Sequence, residues 1–235
     1  MAIGPELRTR WAERLRGISK QPLACCAKFP EIAERWEAWW RFDADRPLLV
    51  GAVPDRSAAP DLRRDKLFDL IGQPDRWLEL RQRQMEHTRW IDQAVPHVRV
   101  DIGPVATAAY LGAPLHFAPA EDTAWLSPLL AGEEWDLPAI DPGSGILAMT
   151  LALARRTAKA GTGRVLVAVP DLSGPSDVLA GLRGTERLLL DLVDRPAEVR
   201  RASGRLVESW EAVFTDLYDT IITEGAGPST WLFAW

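Results

Sequence analysis

Cysteine and histidine are scarce in this chain of 235 residues, which holds two of the first and three of the second. The cysteines, Cys25 and Cys26, are adjacent, an arrangement that does not suit an ordinary structural disulfide and lacks the spacing of a zinc site. A reduced pair of small apolar side chains is expected. Positive charge is not in excess either. Lys and Arg number 28 against 33 Asp and Glu, a formal net charge of -5, and the basic residues are spread along helices with acids between them. No basic cluster is there to hold a phosphate backbone, so a nucleic-acid partner is not expected. No apolar run approaches the roughly 18 residues of a membrane span. The opening "MAIGPELRTRWAERLRG" lacks the apolar core of a secretory signal. A cytoplasmic protein with no membrane partner is expected. A phosphate loop, a Ser-His-Asp order and a CxxC pair are also missing.

Tryptophan, by contrast, is abundant, with eleven residues. In "EIAERWEAWWRF" the apolar positions Ile32, Trp36, Trp39 and Trp40 fall on one helical face, with Glu34, Arg35, Glu37 and Arg41 elsewhere. Wide aromatic faces mostly bury area, so core packing is expected here rather than ligand stacking.

Along the chain the pattern alternates. Helices are expected near 5–17 and 30–42. A strand near 47–53 follows, with Pro47 suited to its start and Pro54 ending it. Helices near 61–71 and 75–94 come next, then an alternating strand over 98–102 and a helix over 105–112 ended by Gly112. The stretch from Ala113 to about Gly145 is Pro-rich and irregular, long enough that short helices or a cover over a site are expected in it. From Ile146 the signals sharpen: a helix to Ala160, a strand over 164–170, helices over 174–183 and 185–193, and a long helix from Pro196 to about Glu224. Its start, Asp194-Arg195-Pro196, puts proline in the first turn. The final "GPSTWLFAW" reads as a strand at 230–235 that nothing follows, as in a fragment or natural truncation of a longer α/β protein. Strands separated by helices imply parallel pairing through right-handed crossovers. Four such units suit either a small open sheet or the first half of a (β/α)8 barrel.

"RWEAWWRFDADRPLLV", "VDIGPVATAAYLGAP", "AEDTAWLSPLL", "DLSGPSDVLAGLRGTERLLLDLVDRPAEV" and "GPSTWLFAW" together resemble the uroporphyrinogen decarboxylase-like (URO-D) superfamily. They look closest to a poorly characterised branch related to corrinoid-dependent methyltransferases. The resemblance runs from about Glu31 onward and is most specific over Asp171 to Val199. It implies a (β/α)8 TIM barrel of the uroporphyrinogen decarboxylase-like type, with residues 1–44 as extra N-terminal helices and 45–235 as the first half of the barrel, truncated at the C-terminus. A half barrel leaves two sheet edges open, so poor solubility as a monomer is expected.

Active sites of such barrels lie at the carboxyl ends of the strands. Two acids occupy such ends, Asp101 after "VRV" and Asp171 after "VLVAVP". The resemblance implies that Asp101 accepts hydrogen bonds from pyrrole N–H groups and stabilises the cation formed when the ring is protonated. Asp171 either joins it or caps the helix that begins near Pro175. Arg56 is the arginine in the loop where the decarboxylases bind substrate carboxylates. Gly181 stands where they carry a tyrosine, and their late histidine would fall beyond Trp235. His116 lies in the irregular segment and is expected to touch a ligand there. It could in principle hold a cation with Glu121 and Asp122, although a solvated loop is the plainer reading. His87 reads as a surface helical residue. His97 precedes the second strand, at the end opposite the expected site. Arg183 suits the negative end of its helix.

The implied function is that of a carboxy-lyase acting on a tetrapyrrole or similar carboxylated ring. Its alternatives are a corrinoid-dependent methyltransferase and a non-catalytic truncated barrel. The expected partners are a tetrapyrrole-like small molecule or a corrinoid protein, with a homodimer allowed. Neither a cofactor nor a metal is expected in this chain.

Overall fold

A computed structural model describes residues 3–55, 57, 69–70, 72–100, 106–118, 120, 123–130, 132, 135–143, 145–230 and 235. Asp101, Arg56, Glu121, Asp122 and most of the expected helix near 61–71 lie outside them.

The chain is mixed α/β. Two helices open it, α1 (Pro5–Ser19) and α2 (Phe29–Trp40), each with proline in its first turn, where the missing N–H is no loss. Strand β1 (Val50–Pro54), helix α3 (Pro74–Glu86), strand β2 (Thr88–Asp92) and strand β3 (His97–Arg99) follow. After the short helix α4 (Ala106–Tyr110) come strands β4 (Leu115–Ala118) and β5 (Thr123–Leu126). The remainder is helix α5 (Gly145–Gly161), strand β6 (Leu166–Ala168), helices α6 (Pro175–Arg183), α7 (Thr185–Asp194) and α8 (Pro196–Thr223), and strand β7 (Pro228–Ser229).

Among the described residues the strands form three small sheets, and no closed barrel. The central one is parallel, in the order β3-β6-β7. Its middle strand, Leu166, Val167 and Ala168, is fully buried, as expected of a parallel strand covered on both faces. On it lie α5 and α8. The buried face of α8 repeats at helical spacing through Val199, Ala202, Leu206, Val213, Leu217 and Ile221. Each Val, Leu or Ile among them contributes roughly 1.5–3 kcal/mol on full burial.

Several elements differ from expectation. The run near 47–53 does not join the parallel sheet. It pairs antiparallel with Thr88–Asp92, in register from Val50 opposite Asp92 to Pro54 opposite Thr88. Those partner residues were expected to continue the helix over 75–94, but the helix stops at Glu86. Thr88, Trp90 and Ile91 suit either state locally, and the β1 edge decides between them by offering five paired positions. Likewise the irregular stretch 113–145 contains an antiparallel hairpin, β4 with β5. The last strand is paired at Pro228 and Ser229, ahead of its expected start at 230, and residues 231–234 lie outside the described residues.

The tryptophan-rich helix divides its rings. Trp36 is buried at 6% exposure and donates its indole N–H to the Gln93 carbonyl at 3.0 Å, whereas Trp39 and Trp40 remain 41% and 59% exposed. Core packing therefore holds for Trp36 alone of the three. Among the described residues no helix is long and apolar enough to cross a membrane.

Candidate functional site

The carboxyl ends of β6 and β7 open on a cleft of about 560 Å³, within the roughly 300–1,000 Å³ of ordinary small-molecule sites. Asp171, Asp177, Trp40, Trp210, Phe214 and Thr230 are among the residues that line it. The chain reaches this place because β6 runs out through Val169 and Pro170 and turns into α6 within a few residues.

The turn has a specific construction. Ser173 N–H donates to Asp171 Oδ1 at 2.9 Å, and Ser173 adopts a left-handed backbone, with φ of 56°. Asp171 thus closes an Asx-type turn. It does not cap α6, whose N-cap is Gly174 with no side-chain hydrogen bond. A carboxylate accepts more hydrogen bonds than one N–H supplies, so Asp171 retains capacity for a ligand. The loop is also tied from the other side: Thr107 Oγ1 donates to the Leu172 carbonyl at 2.5 Å, linking α4 to the turn.

The far wall is aromatic. Trp210 and Phe214, one helical turn apart on α8, stack with ring centroids 5.1 Å apart and planes 5° from parallel. Trp40 joins them from α2 and donates its indole N–H to the Trp235 carbonyl at 3.0 Å. Asp177, exposed on the first turn of α6, stands where a negative charge is favoured by the helix dipole. Two carboxylates and three flat rings therefore face one cleft, an arrangement that can hold a bulky planar molecule and attract positive charge on it.

Of the residues singled out in the sequence, Asp171 lies in this cleft. Asp101 and Arg56 are outside the described residues. His116 sits on β4, exposed, stacked on Trp125 with ring centroids 5.5 Å apart, and its Nε2 is 2.8 Å from Ser127 Oγ. It is not among the described residues of the cleft wall. Gly181 faces elsewhere too, because a Cβ there would meet Leu126 Cδ1 at 3.0 Å and Ala108 at 3.5 Å. A larger side chain at 181 would strike the β5 strand and α4 rather than enter the cleft. Arg183 is buried and paired with Asp191. Sequence reasoning missed Trp40, Trp210 and Phe214 as cleft residues, although the spacing of Trp210 and Phe214 at i and i+4 on one amphipathic helix was the available signal.

Among the described residues, no group of three or more His, Cys, Asp or Glu side chains is placed to hold a metal ion. The fold and cleft define a mixed α/β chain with a carboxylate and an aromatic wall at the carboxyl ends of parallel strands. No protein-family model, no curated protein and no solved structure matches the chain.

Proposed function

We propose that this chain is a uroporphyrinogen decarboxylase-like protein, with the barrel architecture that family implies, acting as a carboxy-lyase on a tetrapyrrole or similar carboxylated ring. The observation that carries the reading is the position of Asp171, on the rim of the cleft beside the stacked rings of Trp210 and Phe214. Further support comes from the parallel order β3-β6-β7, which puts the ends of β6 and β7 beside the same cleft. Asp101 follows Arg99, the last residue of β3, by two positions in the sequence, and the resemblance gives it the matching role.

In this chemistry the pyrrole ring takes a proton and becomes a cation. The bond to the carboxylate carbon then breaks, its electron pair returns to the ring, and CO2 leaves. A fixed carboxylate lowers the energy of the cationic state more than that of the neutral substrate, which is the condition for acceleration. The aromatic wall excludes water along the ring faces and so raises the effective strength of that attraction.

Turnover of reduced porphyrinogens by the intact chain tests the proposal, with cobamides as the competing ligand. Asp171→Asn keeps the acceptor for Ser173 but removes the charge, and a loss of about 10²- to 10³-fold in kcat is expected. Unchanged turnover in the variant would remove Asp171 from the chemistry. Tight cobamide binding with no porphyrinogen turnover would reject the decarboxylase reading in favour of methyl transfer.

A further inference from the structure

A second cavity, of about 210 Å³, lies away from the cleft, between the β1-β2 ribbon, helix α3 and strand β3. Arg81 and Gln84 face it from α3, Thr88 and Trp90 from β2, and His97 and Arg99 from β3. His97 and Arg99 are two positions apart on one strand and therefore share a face. The described part of the wall thus carries two guanidiniums, an imidazole, a carboxamide and an indole ring, beside the Thr88 hydroxyl that donates to the Gln84 carbonyl.

We infer that this cavity is a binding site for a small oxyanion, the phosphate or carboxylate group of a small molecule. The guanidinium fork matches the paired oxygens of both groups, and two forks on one cavity are the usual means of holding either. Both arginines have protein partners: Arg81 Nη1 donates to Gln84 Oε1 at 3.0 Å, its guanidinium lies over the Trp77 ring at 4.9 Å, and Arg99 is held by contacts of its own. The Nε of each, however, is buried without an acceptor, and an oxyanion in the cavity would supply one. The two cations are close enough to the imidazole of His97 for both to disfavour its protonated form. The volume is below the roughly 300 Å³ at which sites for drug-sized ligands begin, so the ligand is a free oxyanion or a short acid.

The described residues that line the cavity and those that line the cleft do not overlap. The two sites are therefore separate, and the failure of one assignment leaves the other standing.

Calorimetric titration of the intact chain with inorganic phosphate and, separately, with succinate at constant ionic strength tests the inference. Saturable one-site binding of at least one of the two is expected, weakened about tenfold or more by Arg81→Gln and by Arg99→Gln. Phosphate alone saturating assigns a phosphoryl ligand, succinate alone a carboxylate, and both together the shared oxyanion chemistry. No saturation by either, or saturation unchanged in both variants, overturns the site. If the variants fail to fold, phenylglyoxal modification of the wild-type chain answers the same question. The bound anion should protect Arg81 and Arg99 while the exposed Arg46 and Arg164 react. Equal modification of all four with and without the anion would overturn the site.

Discussion

Arg183 and Asp191 form an ion pair of 2.7 Å inside the protein, their side chains 0% and 8% exposed. The pair bridges α6 and α7 across Gly184, whose φ of 87° turns the chain between the two helices. The same guanidinium donates to the carbonyls of Leu130 and Gly132 at 2.7 and 2.8 Å and lies 4.2 Å over the Trp135 ring. It fastens the segment after β5 to the helical layer. Removing one partner leaves a buried charge uncompensated, so Asp191→Ala is expected to cost about 3–5 kcal/mol. Urea denaturation of Asp191→Ala, Arg183→Met and the double variant checks this. The double variant should lose less than the sum of the singles.

Gly227 occupies a crowded position ahead of β7. A Cβ there would lie 2.6 Å from Leu166 Cδ2, 2.9 Å from the Trp235 ring and 3.1 Å from Ile18 Cγ2. Its carbonyl accepts the Val167 N–H at 2.9 Å, so the backbone cannot withdraw without breaking the β6-β7 pairing. Gly227→Ala is expected to destabilise by about 1–3 kcal/mol through overpacking. A thermal melt unchanged from wild type would show that Trp235 and Ile18 yield freely.

His97 makes stability depend on pH. Burial, reinforced by the Arg99 and Arg81 guanidiniums, pushes its imidazole down to about 4, although the Nδ1 contact with the Val95 carbonyl opposes the shift. In the unfolded chain the ring takes a proton near 6.5. Between those values the unfolded state binds more protons, so stability falls as pH drops from about 6.5 to about 4 and His97 adds no further loss below that. The contribution is about 3 kcal/mol across the window. His97→Phe removes the titration, and denaturation midpoints at pH 7 and pH 4.5 should differ less in the variant than in the wild type. An identical pH dependence would mean that the ring titrates normally.

Cys25 is exposed as a residue, yet its thiol is turned to the Arg164 carbonyl. Burial first, then the neighbouring Cys26, pushes the thiol up to about 11. Since the thiolate is the nucleophile, alkylation of Cys25 by iodoacetamide at pH 8 should run about a hundredfold slower in the folded chain than in urea. Equal rates would show an ordinary surface thiol.

Much of the C-terminal half was legible in the sequence. The helices expected over 174–183 and 185–193 and from Pro196 to about Glu224 occur at 175–183, 185–194 and 196–223. Proline in two of the first turns and Gly184 between two of the helices act locally, through backbone sterics that need no partner. The buried strand Leu166–Ala168 was legible for a similar reason, since a short β-branched run between turn signals has few alternatives. Asp171 could be placed at a strand end on the same ground. The N-terminal half behaved differently. Thr88–Asp92 carries residues compatible with helix or strand, and only contact with β1 resolved it.

By itself, then, the amino-acid order determined where the C-terminal helices begin and stop, which of their faces are apolar, and that one acid follows a buried strand. Those outcomes depend on neighbours within a turn or two. The tertiary structure alone decided that Trp36 is buried while Trp40 reaches the cleft, that the first strand pairs antiparallel, and that Arg81 on a helix meets His97 and Arg99 on a strand. Each of these joins residues distant along the chain, and such pairings are selected by the summed burial and hydrogen bonding of the whole fold.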